Sequence, residues 1–183
     1  MIATVMARAF WDDPLQVWVF PDAETRLDRL DRMFALQIRL STVPIGESYT
    51  DESCSTGAFW MPPGKEQPDA SAVGSMDVLV PIVGDAITRL RAAFQAMMDA
   101  HPTDAHFYLA GLGTDPSRQG KGLGSAVMAP VLARCDANGI PAYLESTKPR
   151  NIAFYERHGF AVTGTIAPAP DGPTMWCMWR DPK

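Results

Sequence analysis

Residues 119–125 of the chain read Gln-Gly-Lys-Gly-Leu-Gly-Ser, and this glycine-rich heptapeptide decides how the surrounding sequence folds. It follows an apolar stretch that ends at Thr114, and it leads into an apolar segment, Leu123 to Cys135, with the spacing of a helix. This order predicts a strand, a tight turn and a helix. The three glycines let backbone N–H groups approach an anion closely, and the positive end of the helix dipole faces the same point. Such a turn is suited to hold a pyrophosphate.

Two common glycine-rich phosphate motifs do not match this turn. A nucleoside-triphosphate P-loop needs Gly where the chain has Asp115 and Ser or Thr where it has Gly122, so no hydroxyl is placed for magnesium. A dinucleotide-binding G-x-G-x-x-G loop also fails, because the candidate readings end on Pro116, Ser125 or Val127. The pattern that remains is Gln-x-x-Gly-x-Gly. A nucleotide-binding protein is therefore disfavoured.

Two motifs in succession resemble a known superfamily. The Gln-x-x-Gly-x-Gly pattern, preceded by Leu-Gly-Thr-Asp-Pro at 112–116, resembles the acetyl-CoA-binding motif of the GNAT N-acetyltransferases. Residues 143–160, from Tyr143 to Phe160, match the next element of that superfamily in order and spacing. Together with Trp-Cys-Met at 176–178, residues 106–160 are most similar to the puromycin N-acetyltransferase branch. Before residue 104 the resemblance is limited to Ala-Phe at 9–10 and Asp-Pro at 13–14.

The resemblance implies one GNAT domain over residues 1–183, an α/β (α+β) fold. Its central sheet would be mixed, mostly antiparallel, and splayed between two parallel strands, with helices on both sides. Hydrophobic periodicity predicts helices over 1–10, 23–40, 85–99, 123–138 and 149–159, and strands over 47–50, 57–61, 106–114, 142–147, 160–166 and 174–180. A loop is predicted from 62 to about 73.

The start of the chain departs from the expected fold. A GNAT chain usually begins with a strand, whereas Met1 already stands where the first helix should begin. Either the start is truncated or the sheet lacks its first strand, and the sequence leaves both open. If the sheet lacks its first strand, the edge of the next strand would be unpaired and available for a homodimer.

Composition narrows the function classes. The formal charge of −5 and a pI near 5.1 leave no broad basic surface, which disfavours nucleic-acid partners and suits a small cationic amine. No signal peptide and no apolar run of ~18 residues is present, so a cytoplasmic protein without a membrane span is expected. Three cysteines and three histidines occur at unpaired, scattered positions, which predicts neither a disulfide framework nor a metal site.

The resemblance also implies a donor, acetyl-CoA, bound between the strands predicted over 106–114 and 142–147. Main-chain amides near 112 and 114 would contact the acetyl and pantetheine groups, and amides of 119–125 would hold the pyrophosphate. Arg118 and Lys121 either add charge there or are solvated surface groups. The predicted donor-binding residues are Leu112, Gly113, Thr114, Arg118, Gln119, Gly120, Lys121, Gly122, Leu123, Gly124, Ser125 and Asn151.

Asn151 and Tyr155 are four residues apart on the last predicted helix, so both can face one ligand. By the resemblance, Asn151 contacts the coenzyme A arm and Tyr155 protonates the departing sulfur. A phenol with an ordinary pKa near 10 suits a thiolate of similar basicity. The alternative is a Tyr155 that is only a buried amphipathic side chain.

Glu145 alternates with Tyr143 and Thr147 along an apolar strand, where a carboxylate needs a reason to be present. It either takes the proton of the amine, directly or through water, or anchors the cationic acceptor, or it is a structural carboxylate. The acceptor pocket is predicted to include Trp60, Tyr108 and Trp176. His106 and His158 are weaker candidates for the base, and we expect both to be structural.

These residues predict an N-acetyltransferase that moves an acetyl group from acetyl-CoA to a primary amine of a small molecule. Attack would be direct, in a ternary complex, because Cys135 and Cys177 fall at packing positions and Cys54 in a polar turn. The alternative is a non-catalytic regulatory module that binds acyl-CoA. Retention of both Glu145 and Tyr155 disfavours that alternative, since a pure binder needs neither.

Overall fold

The computed structural model describes residues 1–65 and 76–183. Its helices are α1 (Ile2–Ala9), α2 (Pro14–Val19), α3 (Ala23–Gln37), α4 (Val43–Ile45), α5 (Met76–Val83), α6 (Ile87–Ala100), α7 (Leu123–Asn138) and α8 (Pro149–Arg157). A π-helical turn, Ile38–Thr42, joins α3 to α4, and 3-10 turns cover Gly84–Ala86 and Pro116–Arg118. The strands are β1 (Ser48–Thr50), β2 (Thr56–Met61), β3 (Phe107–Thr114), β4 (Ala142–Ser146), β5 (Ala161–Ile166) and β6 (Met175–Arg180).

One sheet of six strands, in the order β1-β2-β3-β4-β6-β5, organises these residues. Every neighbouring pair is antiparallel except β3 and β4, which run parallel. That parallel pairing is short: it joins Phe107 to Ala142 and Tyr108 to Tyr143, after which the two strands diverge. The predicted mixed α/β architecture, with a gap between two parallel strands, is confirmed.

Each face of the sheet carries its own apolar core. On one face α7 packs Val127, Val131 and Cys135 against the central strands, as its four-residue repeat predicted. On the other face α1, α2 and α3 form a second core around Met6 and Phe34. The sheet therefore separates α7 from the N-terminal helices.

The structure corrects several sequence expectations. Helices α2 and α5 were not expected, although Asp13 caps α2 and Pro14 occupies its first turn, both start signals. The helix predicted over 23–40 changes to a π-helical turn at Ile38. Part of the loop predicted over 62–73 lies outside the described residues.

The start of the chain is helical. In the described residues no strand precedes Ser48, so β1 lies at the edge of the sheet, as the sequence predicted. Across the same ranges, no helix combines the length and the apolar character needed to cross a membrane.

Candidate active site

The glycine-rich turn connects β3 to α7 by two left-handed residues. Gly120 and Gly122 have φ values of 76° and 78°, a region that side chains with a Cβ rarely adopt. Gly122 is the N-cap of α7 and offers no side chain, so the first amides of that helix are not capped from within. Gln119 supports the turn, since its Nε2 donates to the Thr114 carbonyl at 3.1 Å. The turn thus presents unpaired N–H groups, as an anion site requires.

Gly113 allows α1 to approach β3. A Cβ built there would lie 2.8 Å from Sδ of Met6 and 3.0 Å from Cβ of Ala9, closer than side chains pack. This contact brings Ala9, the end of α1, to the mouth of the gap between β3 and β4. The glycine therefore serves close packing as well as its predicted place beside the donor.

A cleft of about 380 Å³ runs along the end of β3, the glycine-rich turn and α8. It is lined by eleven of the twelve predicted donor-binding residues, Lys121 being the exception, and by Tyr155. The lining comprises Ala9, Leu112, Gly113, Thr114, Arg118, Gln119, Gly120, Gly122, Leu123, Gly124, Ser125, Lys148, Arg150, Asn151, Phe154, Tyr155 and Arg157. Lys121 is exposed outside it.

The electrostatic character of the cleft is cationic. Arg118, Lys148, Arg150 and Arg157 line it, whereas none of its described lining residues is an Asp or Glu. Uncapped amides, a helix N-terminus and guanidinium groups together favour a ligand with phosphate groups. The residues present fit the diphosphate portion of coenzyme A.

Five lining residues were missed by the sequence reasoning. Arg150, Phe154 and Arg157 recur at i, i+4 and i+7 on α8, a helical stripe beside Asn151 and Tyr155 that could have been found. Ala9 and Lys148 reach the cleft only through contacts between distant parts of the chain. No local pattern identifies those two.

Tyr155 lies at the inner wall of the cleft and is 7% exposed. Its ring packs edge-on against Phe154 and Phe160, with centroids 5.2 and 6.0 Å away. Burial raises the pKa of its phenol, and the negative charge of Asp13 raises it further. The phenol is therefore protonated at neutral pH and able to donate a proton.

Glu145 lies on β4, directly opposite Cys177 of β6, on the sheet face away from α7. Burial raises the pKa of its carboxyl to about 7, an effect that the nearby hydroxyls of Tyr108 and Tyr143 partly oppose. Oε1 of Glu145 has no hydrogen-bond partner among the described residues. A carboxylate that has a near-neutral pKa and an oxygen without a hydrogen-bond partner can accept a proton or bind a cation.

The three predicted pocket residues lie on different faces of the sheet. Tyr108 stands beside Glu145, whose charge, together with burial, raises the pKa of the Tyr108 phenol. Trp60 is 2% exposed in the core formed with α7, and Trp176 packs against the same core. The two tryptophans thus lie on the sheet face opposite Tyr108 and Glu145, and the acceptor pocket stays a prediction. Trp60 faces α7 by simple alternation along β2, with Ala58 on the same side and Phe59 in the other core.

Of the side chains expected to be structural, His106 and Cys135 are buried and His158 is half-buried. His106 shares a 2.6 Å hydrogen bond between Nδ1 and the Asp104 carbonyl, and His158 one of 2.8 Å with the Phe154 carbonyl. Burial raises the pKa of the Cys135 thiol to about 11, which disfavours the nucleophilic thiolate. None of these groups lines the cleft.

Comparison with known proteins agrees with this geometry. Residues 87–160 match the family model described as Acetyltransferase (GNAT) family. A Corynebacterium glutamicum structure described as histone acetyltransferase HPA2 and related acetyltransferase is 29% identical, with a TM-score of 0.72, over 100% of this chain and 90% of that one. The chain has the GNAT acetyltransferase fold. The splayed β3–β4 pair and the glycine-rich turn before α7 are the features of that fold which form the cleft.

Two further similarities extend over most of the chain. An uncharacterised N-acetyltransferase of Schizosaccharomyces pombe is 25% identical over 181 residues, which cover 90% of this chain and 71% of the relative. Arylalkylamine N-acetyltransferase 2 of Aedes aegypti shares the fold at 13% identity, with a TM-score of 0.61 over 100% of this chain and 93% of that one. The matches support a GNAT N-acetyltransferase, and they do not single out the puromycin branch.

Proposed function

We propose that the protein transfers the acetyl group of acetyl-CoA to a primary amine of a small molecule, by direct attack in a ternary complex. The observation that carries the proposal is the gap between β3 and β4. Tyr155 lines the cleft at this gap. Glu145 follows the last paired position, Tyr143, by two residues. The acid thus lies in the cleft, and the candidate base, which does not line the cleft, lies on the opposite face of β4 beside the same gap.

The strand gap supports the position of the donor. Because β3 pairs with β4 only at Phe107 and Tyr108, the rest of its edge toward β4 has no backbone partner there. Pantetheine carries amide groups that can hydrogen bond to such an edge. With the diphosphate on the turn before α7, the thioester would point toward the inner end of the gap.

The proposed chemistry balances with the groups present. The amine nitrogen attacks the thioester carbonyl, a C–N bond forms and the C–S bond breaks. The amine gives up a proton, which Glu145 can accept directly or through water because its pKa is about 7. Tyr155 gives its phenolic proton to the departing thiolate. If Glu145 instead anchors the ammonium form, solvent takes the proton and the same bonds change.

The surroundings of Glu145 support a small cationic amine as acceptor. Its open Oε1 suits an N–H donor, and the neighbouring Tyr108 and Tyr143 rings, 6.0 Å apart, can contact an apolar body. The resemblance to the puromycin branch makes puromycin one amine to test. A homodimer formed through the β1 edge and a cytoplasmic location complete the proposal.

The test is acetyl-CoA binding by calorimetry, followed by thiol release with a panel of primary amines that includes puromycin. Micromolar binding with amine-dependent thiol release is expected. The Tyr155→Phe variant separates an enzyme from a regulatory acyl-CoA binder, since the enzyme should lose rate while it keeps its affinity for acetyl-CoA. Absence of binding in folded protein would reject the proposal.

A further inference from the structure

The turn between α1 and α2 is joined across the cleft to the segment between β4 and α8. Asp13 makes the central contact: its Oδ2 accepts a 2.5 Å hydrogen bond from Oγ1 of Thr147. Its Oδ1 accepts from the amides of Leu15 and Gln16, at 3.0 and 3.4 Å, and thereby caps α2. Only 5% of Asp13 is exposed. Both carboxylate oxygens are thus committed inside the protein.

Further contacts run between the same two segments. Nζ of Lys148 donates to Oδ1 of Asp12, and to the carbonyl of Ala9 at 3.3 Å. Arg150 reaches the other oxygen of Asp12, also at 3.3 Å. Ala9, Lys148 and Arg150 all line the cleft. We name Asp12, Asp13, Thr147 and Lys148 the turn clamp.

We propose that Asp13 is a positioning residue for Tyr155: through Thr147 it fixes the segment that begins α8, and with it the place of the Tyr155 phenol in the cleft. The inference rests on the proposed function, in which Tyr155 is the acid. Thr147 and Lys148 immediately precede α8, so the clamp sets where that helix starts. The charge of Asp13 also raises the pKa of the Tyr155 phenol, which indicates that the two groups are near each other.

The charges near Tyr155 are few. Among the described residues, Asp13 is the charged group whose field raises the pKa of the Tyr155 phenol. From α8 itself come Arg157 and His158, and Lys148 acts on Asp13 from the clamp. Strand β5, which packs on α8, has no ionisable side chain. Glu145 projects on the opposite face of β4 from the core that holds Tyr155.

The charge of Asp13 depends on its partners. Burial raises the pKa of its carboxyl, whereas the Thr147 hydroxyl, the charge of Lys148 and the two α2 amides lower it. An Asn at this position can accept from the α2 amides with Oδ1, while its Nδ2 donates to Oγ1 of Thr147 in place of the original acceptor. Asp13→Asn therefore removes the charge while the contacts can persist.

The experiment compares kcat against pH in the wild type, Asp13→Asn and Asp22→Asn. Asp22 is a matched control because it caps α3 in the same way, accepting from the Glu24 amide at 3.0 Å and from Oγ1 of Thr25 at 2.7 Å, on an exposed surface outside the cleft. In Asp13→Asn the alkaline limb of kcat should move to lower pH, with KM for acetyl-CoA unchanged, because the charge that helps to raise the phenol pKa is gone. Asp22→Asn should keep the wild-type limb. An unshifted limb in Asp13→Asn overturns the inference.

A second comparison tests the hydrogen bond from Thr147 to Asp13. Thr147→Val should lower kcat several-fold at every pH without a change in KM for acetyl-CoA, and Thr147→Ser, which keeps the hydroxyl, should restore it. Equal rates in these two variants would contradict the positioning role.

A measurement that does not depend on enzymatic turnover distinguishes failure of this inference from failure of the proposed function. If no amine is acetylated by the wild type, the proposed function fails. The clamp is then tested by placing 3-fluorotyrosine at position 155 and titrating it by ¹⁹F NMR with Asp or Asn at position 13. A lower phenol pKa with Asn supports the inference, and an identical titration rejects it.

Discussion

Glu145 and Cys177 face each other across the β4–β6 pairing, so the thiol is the reactive sulfur next to the proposed acceptor site. Burial raises the pKa of this thiol; the nearby Tyr143 hydroxyl opposes the rise, and the charge of Glu145 adds a smaller upward contribution. The thiol is therefore protonated and a poor nucleophile at neutral pH. This relationship favours direct attack by the amine over an acetyl-cysteine intermediate.

Replacement of Cys54, Cys135 and Cys177 together by Ser or Ala should leave most of the turnover intact. The measurement is amine-dependent thiol release, with circular dichroism to confirm that the variant is folded. Loss of activity in folded protein would contradict direct attack.

Glu145→Gln should remove the acid limb of the kcat profile. The carboxyl has a pKa of about 7 and must be charged to accept a proton, so wild-type kcat should rise with pH through that value. As a base, Glu145 should contribute about 100-fold or more to kcat. If Glu145 is only an anchor, KM for the amine should rise while kcat changes little. Kinetics over a range of amine concentrations and pH distinguish these outcomes.

Glu145 should also lower the free energy of unfolding at pH values where its carboxyl is charged. Its pKa is about 7 in the folded protein against an ordinary 4.5, so the folded state disfavours the charged form. The wild type should lose stability as pH rises from about 4.5 to about 7, by on the order of 2–3 kcal/mol. Glu145→Gln should match the wild type below this window and exceed it above. Urea unfolding at several pH values checks the difference, and equal stabilities at pH 8 would refute it.

Gly122→Ala should weaken both stability and donor binding. An alanine at a φ of 78° costs about 1–2 kcal/mol, and its Cβ would stand at the anion-facing turn. Gly139→Ala is the matched control, because Gly139 lies at the other end of α7 with a φ of 66° and does not line the cleft. Both variants should lose similar stability. Only Gly122→Ala should bind acetyl-CoA more weakly in calorimetry.

Arg118 and Lys121, which are indistinguishable in the sequence, should differ in their effect on the donor. Arg118 lines the cleft and Lys121 does not. Arg118→Ala should weaken acetyl-CoA binding about tenfold, as expected for one charge-assisted hydrogen bond, and the loss should shrink at high salt. Lys121→Ala should bind as the wild type does. An equal loss of acetyl-CoA affinity in the two variants would contradict the expectation that only the residue lining the cleft contacts the donor.

Most of the donor-binding residues could be predicted because they are contiguous in the sequence. Residues 112–125 form a strand end, a turn and a helix start, so neighbours in sequence remain neighbours in the cleft. Ala9 and Lys148 instead reach it through the packing of α1 at Gly113 and the contact with Asp12. Such contacts depend on the tertiary fold, which local spacing does not specify.

The acceptor side was less predictable, for a different reason. Whether a strand residue faces α7 or the N-terminal helices depends on pairing register, and one bulge reverses the alternation. The bulge between β2 and β3 leaves Ala110 of β3 unpaired, so that Leu109 and Leu112, three residues apart, both lie in the core with α7. The short helix α2 did have local signals, namely the Asp13 cap and Pro14.

The two cores of the molecule have an evolutionary consequence. One core holds α7 and Tyr155 beneath the donor cleft, while the other is built from α1, α2 and α3, with little shared between them. Residues of the second core that lie away from Gly113 can therefore be exchanged without repacking the donor side. Under the proposed function, such a division would let the preference for the amine change while use of the thioester is kept.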